Sequence, residues 1–283
     1  MQEFSHFYLA LPTGPPTQGD IWINLPCPTL RAPTGVALVV TPRCDFAHDK
    51  TPIFNYVPAV ALDTYIEEAH SRLLERELIR LKKQVINFNI PLPAYELLEI
   101  GASPESIVDE LEKEAKATEL AKRASANVQE FRESVDKMSR IRHVLESQVR
   151  ESALSKSLIP PREMRTFREQ VLHNQLNDVH MLPPCLGVSE QAMVLLLRHI
   201  SSCDIRCLQL AYSCVTVREW EQRVARHTPD VPALSNFRGK PERIARLKSP
   251  YLENVVSRFA TLFMRFGVPE LTATEFTSLI RED

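Results

Sequence analysis

Apolar positions change their spacing twice along the 283-residue chain, which divides it into three zones. Residues 1–60 carry the spacing of strands. Phe7-Tyr8-Leu9-Ala10-Leu11 is a short apolar run stopped by Pro12 and the Thr13-Gly14-Pro15-Pro16 turn. Gly19-Asp20-Ile21-Trp22-Ile23-Asn24-Leu25 alternates, which predicts Ile21, Ile23 and Leu25 on one face. Gly35 to Val40 is apolar on both faces, as suits a central buried strand, and Ile53 to Val60 predicts a fourth. Short strands separated by Pro and Gly turns point to a small barrel.

Residues 61–176 change to a helical period. Leu62, Tyr65, Ala69, Leu73, Leu78, Leu81 and Val85 recur at helical spacing among Glu, Arg and Lys. Ser103-Pro104-Glu105 is a helix start: serine caps, proline suits the first turn, and glutamate complements the positive end. From Ile107 to about Ser157 no Pro or Gly intervenes, and Val128, Phe131, Val135, Met138, Leu145 and Val149 keep a 3–4 spacing. That pattern predicts a helical hairpin or coiled coil. Unbroken, such a helix would be on the order of 75 Å long at ~1.5 Å per residue. It would then project as an arm, unless it kinks in the alanine-rich part between Ala115 and Ala126.

Residues 177–283 return to strand and end in helix. Val179 to Leu182, Ala192 to Ile200 and Ile205 to Tyr212 all suit strands, whereas Arg218 to Ala225 and Glu242 to Leu247 suit short helices. Tyr251 to Phe266 is an amphipathic helix with Leu252, Val255, Val256, Phe259, Leu262 and Phe263 on one side, ending at Gly267. The fold predicted is α+β: a small SH3-like β-barrel begun by residues 1–60 and interrupted by a long, coiled-coil-like helical insertion over 61–176. Residues 177–283 would complete the barrel and cap it with C-terminal helices.

Composition narrows the functional choices. The chain is 44% hydrophobic and 25% charged, ordinary for a globular protein, with a net charge of −2 and a pI near 6.5. No global positive field draws nucleic acid or a membrane surface. With 7 Gly against 21 Pro, and neither GxxxxGK[ST] nor GxGxxG, the sequence argues against phosphate cradling by a glycine loop, and no cofactor is expected. No apolar run approaches the ~20 residues of a bilayer span, so no membrane role is expected. The N-terminus lacks the basic-then-apolar pattern of an export signal, which makes six reduced cysteines and a cytoplasmic location the expectation.

Candidate chemistry gathers where the third apolar run ends. Thr41, Arg43, Cys44, Asp45 and His48 place a hydroxyl, a guanidinium, a thiol, a carboxylate and an imidazole within eight residues. Together they could bind a ligand or partner, and Thr41, Arg43, Asp45 and His48 could form a metal-independent ribonuclease site with a base for the 2′-hydroxyl and an arginine for the phosphorane charge. The same residues serve a plain turn, with Arg43 paired to Asp45 or Asp45 capping. Cys44-x3-His48 with Cys203-x3-Cys207 would make a zinc set only if the two pairs converged. Buried reduced thiols are the commoner outcome, so no metal is expected. A second cluster, Arg238, Lys240, Arg243, Arg246 and Lys248 beside Phe237 and Tyr251, is a candidate nucleic-acid contact. Arg72, Arg76, Arg80, Lys82 and Lys83 are interleaved with glutamates and read as a solvated helix face.

The run from Gly19 to Leu25, a loop, and then Val36-Ala37-Leu38-Val39-Val40-Thr41 resemble the opening of the PemK/MazF-type toxin barrel. Cys44-Asp45 and the stretch from Leu247-Lys248-Ser249-Pro250-Tyr251 to Gly267-Val268-Pro269 resemble uncharacterised bacterial SH3-like proteins of defence and mobile-element systems. In the toxins the loop carries an acidic residue and an Arg-Pro that serve RNA cleavage. This chain has Arg31-Ala32-Pro33 and no acidic residue there, which counts against cleavage. The resemblance implies a non-enzymatic interaction or sensor module of a bacterial multi-protein system. Its helical arm would meet a protein partner or a second copy. The alternative is a divergent, metal-independent endoribonuclease of toxin type.

Overall fold

A computed structural model describes residues 6–28, 30, 34–48, 51–86, 121–147, 157–185 and 191–264. The chain divides into two compact units, a sheet unit of Met1–Leu62 with Gln170–Asp283 and a helical unit of Asp63–Glu169.

The sheet unit is α+β. Its strands are β1 (Tyr8–Ala10), β2 (Asp20–Pro26), β3 (Thr34–Val39), β4 (Ile53–Ala61), β5 (Val179–Leu182), β6 (Met193–Leu196), β7 (Ser201–Asp204) and β8 (Glu242–Leu247). All pairings are antiparallel, in the order β1-β8-β2-β3-β4-β6-β5, with β7 beside the first half of β4. Strand β8 therefore slots between β1 and β2, so the two flanks of the chain build one sheet. The sheet curls into a half-barrel, and the Tyr8 hydroxyl on the first strand donates to the Pro183 carbonyl just past the last, at 2.7 Å.

Both faces of this sheet are covered, which is why the run from Gly35 to Val40 is apolar on both faces. One core holds Ile21, Leu38, Val57, Leu195 and Leu247 beneath Leu252, Val255 and Leu262 of the C-terminal helix. The other holds Trp22, Leu25, Ala37, Val39, Phe54 and Tyr56 beneath Cys207, Leu208, Ala211 and Trp220. Each buried aliphatic or aromatic side chain contributes roughly 1.5–3 kcal/mol by leaving water, so a two-faced core is the main driving force for this unit.

Several sequence expectations are corrected here. Leu25 lies on the face of Trp22, not of Ile21, because the β2 register shifts between Trp22 and Leu25. Asn24 takes a left-handed φ of 60° in that bulge, and its side-chain amide donates to the Lys240 carbonyl at 3.0 Å. The stretch from Ala192 to Ile200 is not one strand: it breaks after Leu196 in a turn closed by His199 N–H on the Leu196 carbonyl. Ile205–Ser213 is a helix, because Asp204 caps it through Arg206 N–H, and Cys207, Leu208 and Ala211 bury one face. Glu242–Leu247 is a strand, because Ala245 and Leu247 fill the core between two partner strands.

The described helices are α1 (Arg43–Ala47), α2 (Leu62–Ile86), α3 (Ala121–Glu146), α4 (Pro161–Leu172), α5 (Ile205–Ser213), α6 (Val217–His227) and α7 (Tyr251–Met264). None is long and apolar enough to cross a membrane. In the helical unit Tyr65, Ala69, Leu73, Leu74, Leu81, Phe131, Val135, Met138 and Ile141 are buried. The α3 stripe expected to meet a partner is thus already covered within the protein. Glu77 links α2 to α3: its carboxylate, fully shielded, accepts from Arg80 at 2.6 Å and Lys137 at 2.7 Å. Burial pushes that carboxyl up, and the two cations outweigh it and hold it below its ordinary range. The helix start at Ser103, residues 115–120 of the alanine-rich part, Val149 and the loop arginine Arg31 lie outside the described residues, whereas 121–126 open α3.

Candidate functional site

Strand β3 delivers the Thr41–His48 segment to one end of the sheet. Val40 N–H and Thr41 N–H both donate to the Asn55 carbonyl, and the buried Thr41 hydroxyl accepts from Asn55 N–H at 2.6 Å. Thr41 therefore continues the ladder to β4 by side chain after the backbone alternation ends. Its hydroxyl is spent on structure. Pro42 opens the five-residue α1, closed by Asp45 N–H on the Pro42 carbonyl at 3.1 Å.

The remaining candidates at this corner point outward. Arg43, Cys44 and His48 are exposed and Asp45 is half-buried. The Cys44 thiol lies 3.5 Å from Asp45 Oδ1, the one bond among them. Among the described residues no ion pair joins Arg43 to Asp45, and His48 bonds to none of the three. The corner is a small exposed group of mixed charge, and among the described residues no third group orients its one thiol–carboxylate contact. It offers contact chemistry: a guanidinium, an imidazole and a carboxylate on the rim of a rigid sheet.

The second candidate set is split by the fold. Arg243 and Arg246 reach across from β8 to Asp20, whose carboxylate is fully buried. Arg243 Nη1 meets Oδ2 at 3.0 Å and Arg246 Nε meets Oδ1 at 2.6 Å. Thr17 N–H donates to the same carboxylate at 2.9 Å. Arg243 also donates to the carbonyls of Pro12, Gly14 and Pro15, and its guanidinium lies 6.0 Å from the Trp22 ring and 5.3 Å from that of Tyr212. These two arginines bind the N-terminal loop, β2, β8 and α5 together. Lys240 approaches Glu242 at 3.7 Å and the Val215 carbonyl at 3.5 Å, while Arg238 and Lys248 are exposed. The expected stacking rings are likewise engaged: Phe237 meets Trp220 edge-on at 5.7 Å and Tyr251 meets Phe7 at 4.4 Å. No continuous basic and aromatic track results.

The cysteines are separated in the same way. Cys44 is exposed, and Cys27, Cys185, Cys203, Cys207 and Cys214 are buried. Cys203 and Cys207 share a hydrogen bond, which together with burial pushes the Cys207 thiol far up. Burial raises Cys27 and Cys185 to about 11. Cys27, Cys185 and Cys207 are packed, protonated thiols. Cys44 and His48 do not join the buried pair, and among the described residues no three His, Cys, Asp or Glu side chains gather as metal ligands.

Two polar groups of the sheet unit meet where the sequence pattern did not bring them together. Arg258 on α7 donates to three backbone carbonyls, and His180 on β5 is buried beside it with Nδ1 unpartnered. Burial, and then the charge of Arg258, lowers the His180 imidazole to about 4. Arg258 interrupts an apolar helix stripe, which was the available signal. No protein-family model, curated protein or solved structure matches the chain.

Proposed function

We propose that the chain is a non-enzymatic interaction module, and that α1 with its flanking residues is where a protein partner or a second copy of the chain docks. One observation carries this reading. Of the candidate groups, Thr41 is committed to Asn55 and Arg243 and Arg246 to Asp20, while Arg43, Cys44 and His48 stand exposed at the rim. An exposed guanidinium and imidazole on a rigid element are contact groups of the kind partner surfaces use. The setting we assign, a bacterial multi-protein system of the defence or mobile-element type built on an SH3-like barrel, rests on the resemblance of the Gly19–Thr41 and 247–269 segments.

The single exposed thiol makes a direct test. Of the six cysteines only Cys44 is exposed, so a maleimide photo-crosslinker labels the proposed contact and no other site. The labelled protein, irradiated alone and in extract of its host, is expected to yield one discrete adduct, either the dimer or one partner. Arg43→Glu with His48→Glu should abolish it without changing thermal stability. Absence of a discrete adduct, or one indifferent to both substitutions, overturns the reading. Metal-independent cleavage of single-stranded RNA that disappears in Arg43→Ala or Asp45→Ala would replace it with the ribonuclease.

A further inference from the structure

Sheltered guanidinium groups ordinarily meet a carboxylate. Arg243 and Arg246 do, at Asp20. Arg258 does not. Its Nη1 donates to the Asn174 carbonyl at 2.7 Å, and its Nη2 donates to those of Leu176 at 2.5 Å and Val179 at 3.1 Å. Its Nε–H is buried without a partner, and among the described residues no carboxylate forms an ion pair with it. Backbone carbonyls hold the guanidinium in place but leave its full charge uncompensated. One Nη1 N–H is left over.

A cavity of about 160 Å³ opens beside this group, lined by Asn177, Ser257, Arg258, Thr261 and Leu262. At ~30 Å³ per water it has room for about five waters, more than a bare ion needs. Polar groups come from two sides: Asn177 from the turn between α4 and β5, and Ser257 and Thr261 from successive turns of α7. The Thr261 hydroxyl is engaged with the Ser257 carbonyl at 2.8 Å. The Asn177 amide and the Ser257 hydroxyl make no hydrogen bond within the described protein.

We propose that this cavity binds a phosphate group, free or carried on a small molecule. The leftover Arg258 N–H supplies the charge-assisted bond, and the Asn177 amide and Ser257 hydroxyl supply the flanking donors. Guanidinium is the side chain best matched to such oxyanions. Donors on both walls of the cleft suit the three outward oxygens of a phosphate better than the two coplanar oxygens of a carboxylate. The volume of about 160 Å³ leaves room for the atoms that carry the phosphate. This site is independent of the docking reading at α1.

The test is an NMR titration of the full chain at constant ionic strength with inorganic phosphate, with glycerol phosphate as a phosphomonoester, and with acetate. Saturable shifts are expected at the Asn177 side-chain amide and the sheltered Arg258 Nε–H, with Kd at or below about 1 mM for a phosphate probe. Tighter binding of glycerol phosphate identifies an esterified ligand, and equal or weaker binding a free one. Asn177→Ala with Ser257→Ala leaves the Arg258 clamp intact and should weaken binding at least about tenfold, the loss expected for two hydrogen bonds at ~1 kcal/mol each. Thermal stability without ligand should hold. No saturation with either phosphate probe, equal affinity for acetate, or binding unchanged in the double variant overturns the proposal.

Discussion

Replacing Asp20 by alanine tests whether its ion network is the clamp of the sheet unit. The Asp20 carboxylate is fully buried, and the Arg243 and Arg246 side chains are 5% and 22% exposed. Deleting the acid strands two guanidinium charges and the Thr17 N–H. Removing one partner of a buried ion pair typically costs about 3–5 kcal/mol. Two features pull this case toward the lower end. Arg243 keeps three carbonyl acceptors, at Pro12, Gly14 and Pro15, and Arg246 can turn toward water. The expected loss is therefore about 3 kcal/mol, which at a urea dependence of roughly 2–3 kcal/mol per molar lowers the midpoint by about 1 M or more.

Both tryptophans of the chain, Trp22 and Trp220, are buried in the sheet unit. Intrinsic fluorescence thus follows that unit alone and avoids mixing two unfolding transitions. Asp20→Leu combined with Arg243→Met and Arg246→Met should recover most of the loss, because the cost lies in orphaned charge rather than in the absence of the pair. An Asp20→Ala midpoint within about 0.3 M of the parent, worth under ~1 kcal/mol, would refute the clamp. So would a triple variant no better than the single one.

His180 gives the sheet unit an acid-sensitive stability. Its imidazole lies at about 4 in the fold against an ordinary 6.5, so the unfolded chain binds the proton more readily. The contribution is fully present above about pH 6.5, falls as pH drops and is lost near pH 4, a change of about 3 kcal/mol at most. Urea midpoints between pH 7 and 4 should flatten in His180→Asn, and equal slopes would contradict the assignment. Gly19→Ala should cost about 1–3 kcal/mol, because Gly19 sits at φ +87° and a Cβ there would come within 2.8 Å of Leu252. Gly14→Ala, at φ +85° with nothing within 4 Å, isolates the strain alone. Calorimetry showing equal losses at both positions would remove the Leu252 contact from the account.

What the sequence made legible follows from how local each feature is. β3 could be read because an apolar run with no polar face needs cover on both sides, and both cores supply it. The C-terminal helix could be read from Leu252, Val255 and Leu262, whose spacing is local. Strand β8 could not. Three of its six residues, Glu242, Arg243 and Arg246, are charged, which suggests a solvated helix until the arginines find Asp20 more than 220 residues away in the chain. The face of Leu25 was lost for the same reason, since the bulge at Asn24 is held by the carbonyl of Lys240.

The α3 stripe exposes a different limit. Periodicity at Phe131, Val135 and Met138 establishes that a helix has an apolar face, and is silent on what covers it. Phe131, Val135 and Met138 are buried within the chain itself. Density of polar residues misleads in the opposite direction. Thr41 to His48 looked like a site because five chemistries stand close in sequence, yet one side chain closes a ladder and three face outward. Arg258 interrupts the apolar stripe of α7, and among the described residues no carboxylate forms an ion pair with it although its Nε–H is buried. Contiguity in sequence is a poor guide to convergence in space. An uncompensated charge in a sheltered place is the better one, because burying it carries a cost that a bound anion would offset.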